Sequence, residues 1–372
     1  MERLLLLIIS SAIIMAFSSS VLAFSIKPVE TDQDKRLRAF EDHGNWFFDS
    51  LADAYIARFT QPVHEEGIQR IYGCEGDDGA CQALEKPSRF APEAVIYGAR
   101  WNDNPPFLME RSGMRDCVGK TIKLPNYSKC WAVLFRDAAK CSSKGEFFDA
   151  KSGHVLLYRL HFGDMQFLHS MASKDGEPAG DTKSKIMMWA EFTYRLAKGE
   201  LDRGIELRKT GIKGMETLFY NRGWTSQQLF TRGDATFRGP QDFRDFTFGS
   251  LLHLVEDSFA LSHTERDEPS GEKCSVVPSQ DKPGKILKFL SYTNQDHNKH
   301  SEQDNQDALK YHLVILPSDK MQPNVVAIGR TLKGYYEQKR PWEEVKRYLD
   351  ECVFDLEDPT AEAGPGEAFS LD

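Results

Sequence analysis

The chain has 372 residues, 40% of them hydrophobic and 28% charged. That is enough for one large domain or two medium ones, with ordinary material for a buried core. A net charge of −9 argues against wholesale nucleic-acid binding through a basic surface. It leaves room for metal ions, which bring their own positive charge.

The chain opens "MERLLLLIISSAIIMAFSSSVLAFS". Arg3, the apolar run from Leu4 to Phe17 and the small-x-small pattern Val21-Leu22-Ala23 predict a secretory signal peptide over 1–23. The run is short for a membrane span, and no later stretch is apolar enough to make one. Seven cysteines follow: Cys74, Cys81, Cys117, Cys130, Cys141, Cys274 and Cys352. Export to a periplasmic or extracellular space makes disulfides the default expectation. An odd number leaves at least one thiol free or paired between chains. Cys74 with Cys81 would close a small loop of Gly and Asp residues; spacing does not fix the pairing.

In chain order, "FEDHGNWFFDSLADAYIARF" carries apolar residues at helical spacing. "HEEGIQRIYGC" begins a short helix, and "FAPEAVIYGARWND" reads as another, stopped by Pro105-Pro106. Residues 107–150 read as irregular and hold three cysteines. A helix is expected around "GHVLLYRLHFGDMQFLHSMA", and "KSKIMMWAEFTYRLAKGEL" is strongly amphipathic. "FRDFTFGSLLHLVEDSFALSH" is an almost wholly apolar helix, which belongs in the middle of a bundle. "SEQDNQDALKYHLVIL" and "PWEEVKRYLDECVF" follow as later helices. Strand signals are few. The expectation is one mostly α domain over 24–353 with disulfide-braced loops, ending in an acidic, disordered tail over 354–372.

Polar residues inside the apolar helix raise the functional question. His253 and Asp257 are four apart, so they share one helix face, where an imidazole and a carboxylate can grip one zinc ion. His263 falls past the helix end. A hydrogen-bonded core histidine and a capping aspartate are the plain alternative. "HSEQD" repeats the spacing with His300 and Asp304, in a segment polar enough to be a solvated face. "HFGDMQFLH" holds His161 and His169, Asp103 sits in a proline-bounded turn, and His64 opens an amphipathic helix. Nitrogen and oxygen donors of this kind suit zinc.

The order of an aspartate, His-Phe, His-x-x-x-Asp-x5-His and His-x-x-x-Asp resembles the zinc-dependent phospholipase C family, whose relatives include single-strand-specific zinc nucleases. The resemblance rests on Asp103, "LHFGD", "HLVEDSFALSH" and "HSEQD". It implies an α-helical domain of the zinc phospholipase C type, with three zinc ions in a cleft. Asp103, His161, His253 and Asp257 would hold the first ion. Asp257 would bridge to a second, completed by His64 and the mature N-terminus. His263, His300 and Asp304 would hold the third. His169 is the alternative to His161. The chain departs from the family in its predicted mature start at Phe24 where a tryptophan is common. It departs also in its long interval between Asp103 and His161, and in "SFALS" between Asp257 and His263.

The resemblance implies hydrolysis of a phosphodiester, with Asp103 as the acceptor of the water proton. Arg100 and Arg266 lie beside the motifs and could meet phosphate. "DSFALSH" favours a secreted phospholipase C in transient contact with a membrane surface. A zinc nuclease acting on single-stranded nucleic acid is the alternative. A non-catalytic secreted helical module with structural histidines is a third reading.

Overall fold

The computed structural model describes residues 62–75, 81, 88, 90–109, 115–124, 126–219, 223–232, 239–296, 299–300 and 325–371. The signal peptide, the helices expected at 40–59 and 301–316, and Asp304 lie outside them.

The described chain is mostly helical with three small sheets. Ten α-helices are described: α1 (Val63–Ile71), α2 (Glu93–Asp103), α3 (Ser128–Ser142), α4 (Leu156–Phe162), α5 (Ala179–Lys198), α6 (Met215–Leu218), α7 (Ser226–Thr231), α8 (Pro240–Asp257), α9 (Val325–Glu337) and α10 (Trp342–Tyr348). The strands pair antiparallel: β1 (Phe107–Leu108) with β2 (Thr121–Ile122), β3 (Thr264–Arg266) with β6 (Ile286–Phe289), and β4 (Lys273–Cys274) with β5 (Val277–Asp281).

Helix α8 is central, as its all-round apolar sequence predicts, and every residue from Phe246 to Asp257 is buried. Its most extensive contacts are with α2, then α5. The α2–α8 crossing is unusually close. A Cβ on Gly249 would sit 2.0 Å from the Val95 carbonyl oxygen, and one on Gly98 would sit 1.8 Å from the Phe246 carbonyl oxygen. Two facing glycines therefore let backbone meet backbone. A buried polar knot sits just beyond. Ser250 Oγ donates to Asn102 Oδ1 at 2.7 Å, and Trp189 Nε1 of α5 donates to Ser250 Oγ at 3.2 Å.

Three expectations need correction. The helix expected over 153–172 is two pieces, α4 and a 3-10 turn at Gln166–His169. The break is at Gly163, whose extended backbone runs so close to Phe148 that a Cβ would lie 2.1 Å from its carbonyl oxygen. Residues 107–150 are less irregular than expected, because α3 buries Cys130, Trp131, Leu134, Phe135 and Ala138 along one face. The acidic tail is laid down in order over 354–371. Phe354 and Phe369 are buried, and backbone hydrogen bonds join the tail to Glu177, Ser291, Asn294 and Asp296. Its few apolar residues are anchors that composition alone does not reveal.

Disulfides join Cys74 to Cys81, Cys117 to Cys130 and Cys274 to Cys352, and Cys141 is a free, partly buried thiol. Three bridges fit an extracellular or otherwise oxidising compartment. Among the described residues no helix is long and apolar enough to cross a membrane.

Replacing Gly249 by alanine should separate α2 from α8 and cost roughly 1–3 kcal/mol, the usual scale for overpacking a tight core. Urea unfolding should show a lower midpoint for Gly249→Ala. An unchanged midpoint would mean that the crossing does not depend on the glycine.

Candidate metal centre

The glycine contact decides where the polar residues go. On α8, Gly249, His253 and Asp257 follow one another at four-residue steps, so all three share one face. On α2, Ala99 and Asp103 have the same relation. The face that lets the helices touch thus carries His253, Asp257 and Asp103 to one place, one or two turns beyond the crossing.

His169 arrives on the 3-10 turn. Two bonds hold that turn to the helices: Asn102 Nδ2 donates to Leu168 O at 3.0 Å, and Ser170 Oγ donates to Leu254 O at 2.6 Å. His64 arrives from the first turn of α1. It is fixed by Glu256, whose Oε2 lies 2.7 Å from His64 Nδ1. Gly67 makes room for that carboxylate, since a Cβ there would be 2.6 Å from Glu256 Oε1.

Asp257 is the hub. Its Oδ2 lies 2.8 Å from His169 Nδ1 and 2.9 Å from His253 Nε2. Its Oδ1 lies 3.5 Å from His64 Nε2 and 3.9 Å from His263 Nδ1. Asp103 stands beside it, 3.7 Å from both His64 Nε2 and His169 Nδ1 and 4.0 Å from His253 Nδ1. The His64 and His253 rings stack at 3.8 Å. His263 and His300 lie together, ring centres 5.1 Å apart. All of these side chains are buried.

Electrostatics favours lone pairs over protons here. Burial, opposed by Asp257 and helped by neighbouring histidines, pushes His169 down to about 4. Burial and then His253 hold His64 well below the ordinary imidazole range. Burial works against an ionised Asp257, yet His253, His263 and His169 prevail and hold it well below the usual carboxylate range. At neutral pH the His64 and His169 imidazoles are therefore uncharged beside the Asp257 carboxylate, the protonation state that a metal ion requires of such ligands. Burial, Asp257 and Glu65 together push Glu256 well above its usual value.

Two sets of donor atoms converge to within 4.8 Å: His64, Asp103 and His253, and His169, His253 and Asp257. Asp257 Oδ1, His253 Nδ1 and His169 Nε2 are buried and find no hydrogen-bond partner among the described residues. Buried polar atoms without partners are costly unless something else meets them. Bound cations would offset that cost, and the two converging donor sets are of the nitrogen and oxygen type that suits a metal ion.

Of the expected ligands, the structure brings together His64, Asp103, His253 and Asp257, with His263 and His300 alongside. His161 does not enter either set. Its Nε2 donates to the Asp103 backbone carbonyl at 2.9 Å, and its ring stacks behind His169 at 5.2 Å. His169 occupies the place first expected for His161. Of the two histidines left open by the sequence, His169, carried on the 3-10 turn after the break at Gly163, is the one that enters a converging set. Glu256 was overlooked, although a glutamate in an apolar helix beside Asp257 is itself a signal.

The arginines beside the motifs have other work. Arg100 Nε pairs with buried Glu65 at 2.6 Å. Arg266 is partly buried and donates to Ser258, Gly284 and Val353 carbonyls, so it braces the turn after α8.

Comparison of the chain with protein-family models, with curated proteins and with solved structures finds no match.

His169→Ala should lower the metal-to-protein ratio of the purified protein, while His161→Ala should leave it near the unmodified value. Elemental analysis by mass spectrometry reads the difference, and the reverse ranking would restore His161 as the ligand.

Proposed function

We propose that this chain is a secreted zinc-dependent phosphodiester hydrolase, a phospholipase C that cuts phospholipids between glycerol and phosphate. The observation that carries the reading is the convergence of four imidazoles on the two oxygens of Asp257, with Asp103 in reach. Asp257 faces one histidine pair with each oxygen, as a carboxylate shared between two ions would. His64, Asp103 and His253 would hold one zinc, and His169, His253 and Asp257 would compete for or share a second. His263 and His300 would contribute to a third, with Asp304 as the expected carboxylate. The residue order along the chain supports the same ligand types, with His169 in the place of His161 and His64 grouped with Asp103.

Bound zinc would supply Lewis acidity, offsetting the charge that gathers on a phosphodiester during cleavage and ionising water near neutral pH. Asp103, whose carboxylate lies within 4.0 Å of three histidines of the cluster, would take the proton of the attacking water. Glu256 and Asn102 hold His64 and the α2–α8 contact in place, so the donors need little rearrangement.

The lipid reading rests on the "DSFALSH" pattern, and a separate cavity of about 140 Å³ would suit an apolar chain. Phe107, Leu108, Val155, Leu156, Phe219 and Trp224 give it apolar walls, and Arg159 and Arg232 line it. Arg159 is already paired with Asp164 at 2.8 Å, so the apolar walls are what would meet a lipid chain.

Hydrolysis of phosphatidylcholine vesicles and of single-stranded RNA, each with and without a zinc chelator, tests the reading. The expected result is chelator-sensitive release of the phosphorylated head group and intact RNA. Asp257→Asn should abolish that release. Chelator-sensitive loss of RNA alone would move the chain to the nuclease reading. Inactivity on both substrates, with no bound zinc, would leave a non-catalytic module.

A further inference from the structure

The motif histidines differ in how they are held, and His300 is held by a residue outside every motif. Gln295 is 1% exposed. Its Nε2 lies 2.9 Å from the Ser262 carbonyl oxygen and 2.8 Å from the Pro365 carbonyl oxygen. A carbonyl can only accept, so both amide hydrogens are committed. The orientation of the amide is thereby settled, and Oε1 is the atom that faces His300 Nδ1, at 2.6 Å. An amide oxygen can also only accept. His300 must therefore carry its proton on Nδ1, which leaves the lone pair of a neutral ring on Nε2.

The geometry points to Gln295 as the positioning residue of His300, with the C-terminal tail as the clamp that orients Gln295. The inference rests on the metal-centre reading and deepens it. Ser262, which takes one amide hydrogen, directly precedes His263. One side chain thus ties together the two histidines expected at the third ion. Pro365, which takes the other, belongs to the tail. The tail is fastened on both sides of that point. Ser291 N donates to Gly364 O at 2.9 Å, Asp296 N donates to Phe369 O at 2.6 Å, and Leu371 N donates to Asn294 O at 3.1 Å. Gly366 turns the tail with φ +82°, close enough to Leu290 that a Cβ would lie 2.9 Å from its Cδ1. The C-terminal tail, through Pro365, therefore helps to set the tautomer of His300 by way of one amide. Outer partners that fix a ligating histidine in this way typically change metal affinity ten- to a hundredfold when lost.

The test reads the tautomer directly. Nitrogen-15 NMR of histidine-labelled full-length protein, assigned with His300→Gln, should show His300 protonated at Nδ1. Gln295→Met keeps the volume and removes the acceptor; it should lose that signature and release zinc to a chromophoric chelator about ten- to a hundredfold faster. Gln295→Glu keeps an oxygen acceptor for Nδ1–H, so it should retain the tautomer even as the tail loosens. A general structural role would not separate these two variants. An Nε2–H ring in the unmodified protein would overturn the proposal, and so would a Gln295→Met protein with unaltered tautomer and zinc release. If the unmodified protein binds no zinc, the metal reading fails separately, and the tautomer in the three proteins still decides the role of Gln295.

Discussion

The close crossing of α2 and α8 is the constraint on which the rest of the structure depends. Two helices normally pack 8–10 Å apart, with side chains between them. Here Gly98 and Gly249 remove those side chains, and each helix presses on a backbone carbonyl of the other. The contact has a price in helix propensity, because glycine is a poor helix former. In return, side chains one turn further along can meet across a very short distance. Asp103 on α2 reaches His253 on α8 only because the backbones are already touching.

The donor cluster then shapes its own surroundings. Four imidazoles and two carboxylates within about 4 Å leave few protons to share, and burial removes the water that could otherwise serve them. A second ring of polar groups compensates by fixing directions. Glu256 holds His64, Asn102 holds the turn carrying His169, and Gln295 holds His300. None of these three residues adds a donor to the two converging sets. Each determines which nitrogen or which face another residue presents, and that is how a site built from several separate segments can be stiff.

Much of the fold was legible in the sequence where periodicity is strong. The apolar run around His253 marked a central helix, and its four-residue spacing put His253 and Asp257 on one face, 2.9 Å apart. Helix α2 ended before the proline pair as expected. The sequence was harder to read where a single residue overrides a pattern. Gly163 splits what periodicity presents as one helix, and His161 and His169 fall on opposite sides of the split. The cysteines around α3 masked a sound amphipathic pattern. The tail looked disordered because its charge is spread over many residues, whereas its order depends on a few, Phe354 and Phe369 among them. Glu256, Asn102 and Gln295 act through contacts 148–192 residues away or through backbone carbonyls, which spacing cannot display.

The central claim is that the buried cluster binds zinc through nitrogen and oxygen. X-ray absorption at the zinc edge, on the protein purified without chelator, tests it most directly. The account predicts a zinc signal with a first shell of nitrogen and oxygen at about 2.0–2.1 Å and the outer-shell scattering of imidazole. Folded protein without a zinc edge would contradict it. So would a sulfur shell near 2.3 Å, which would place the metal at a cysteine and leave the histidine cluster without its cation.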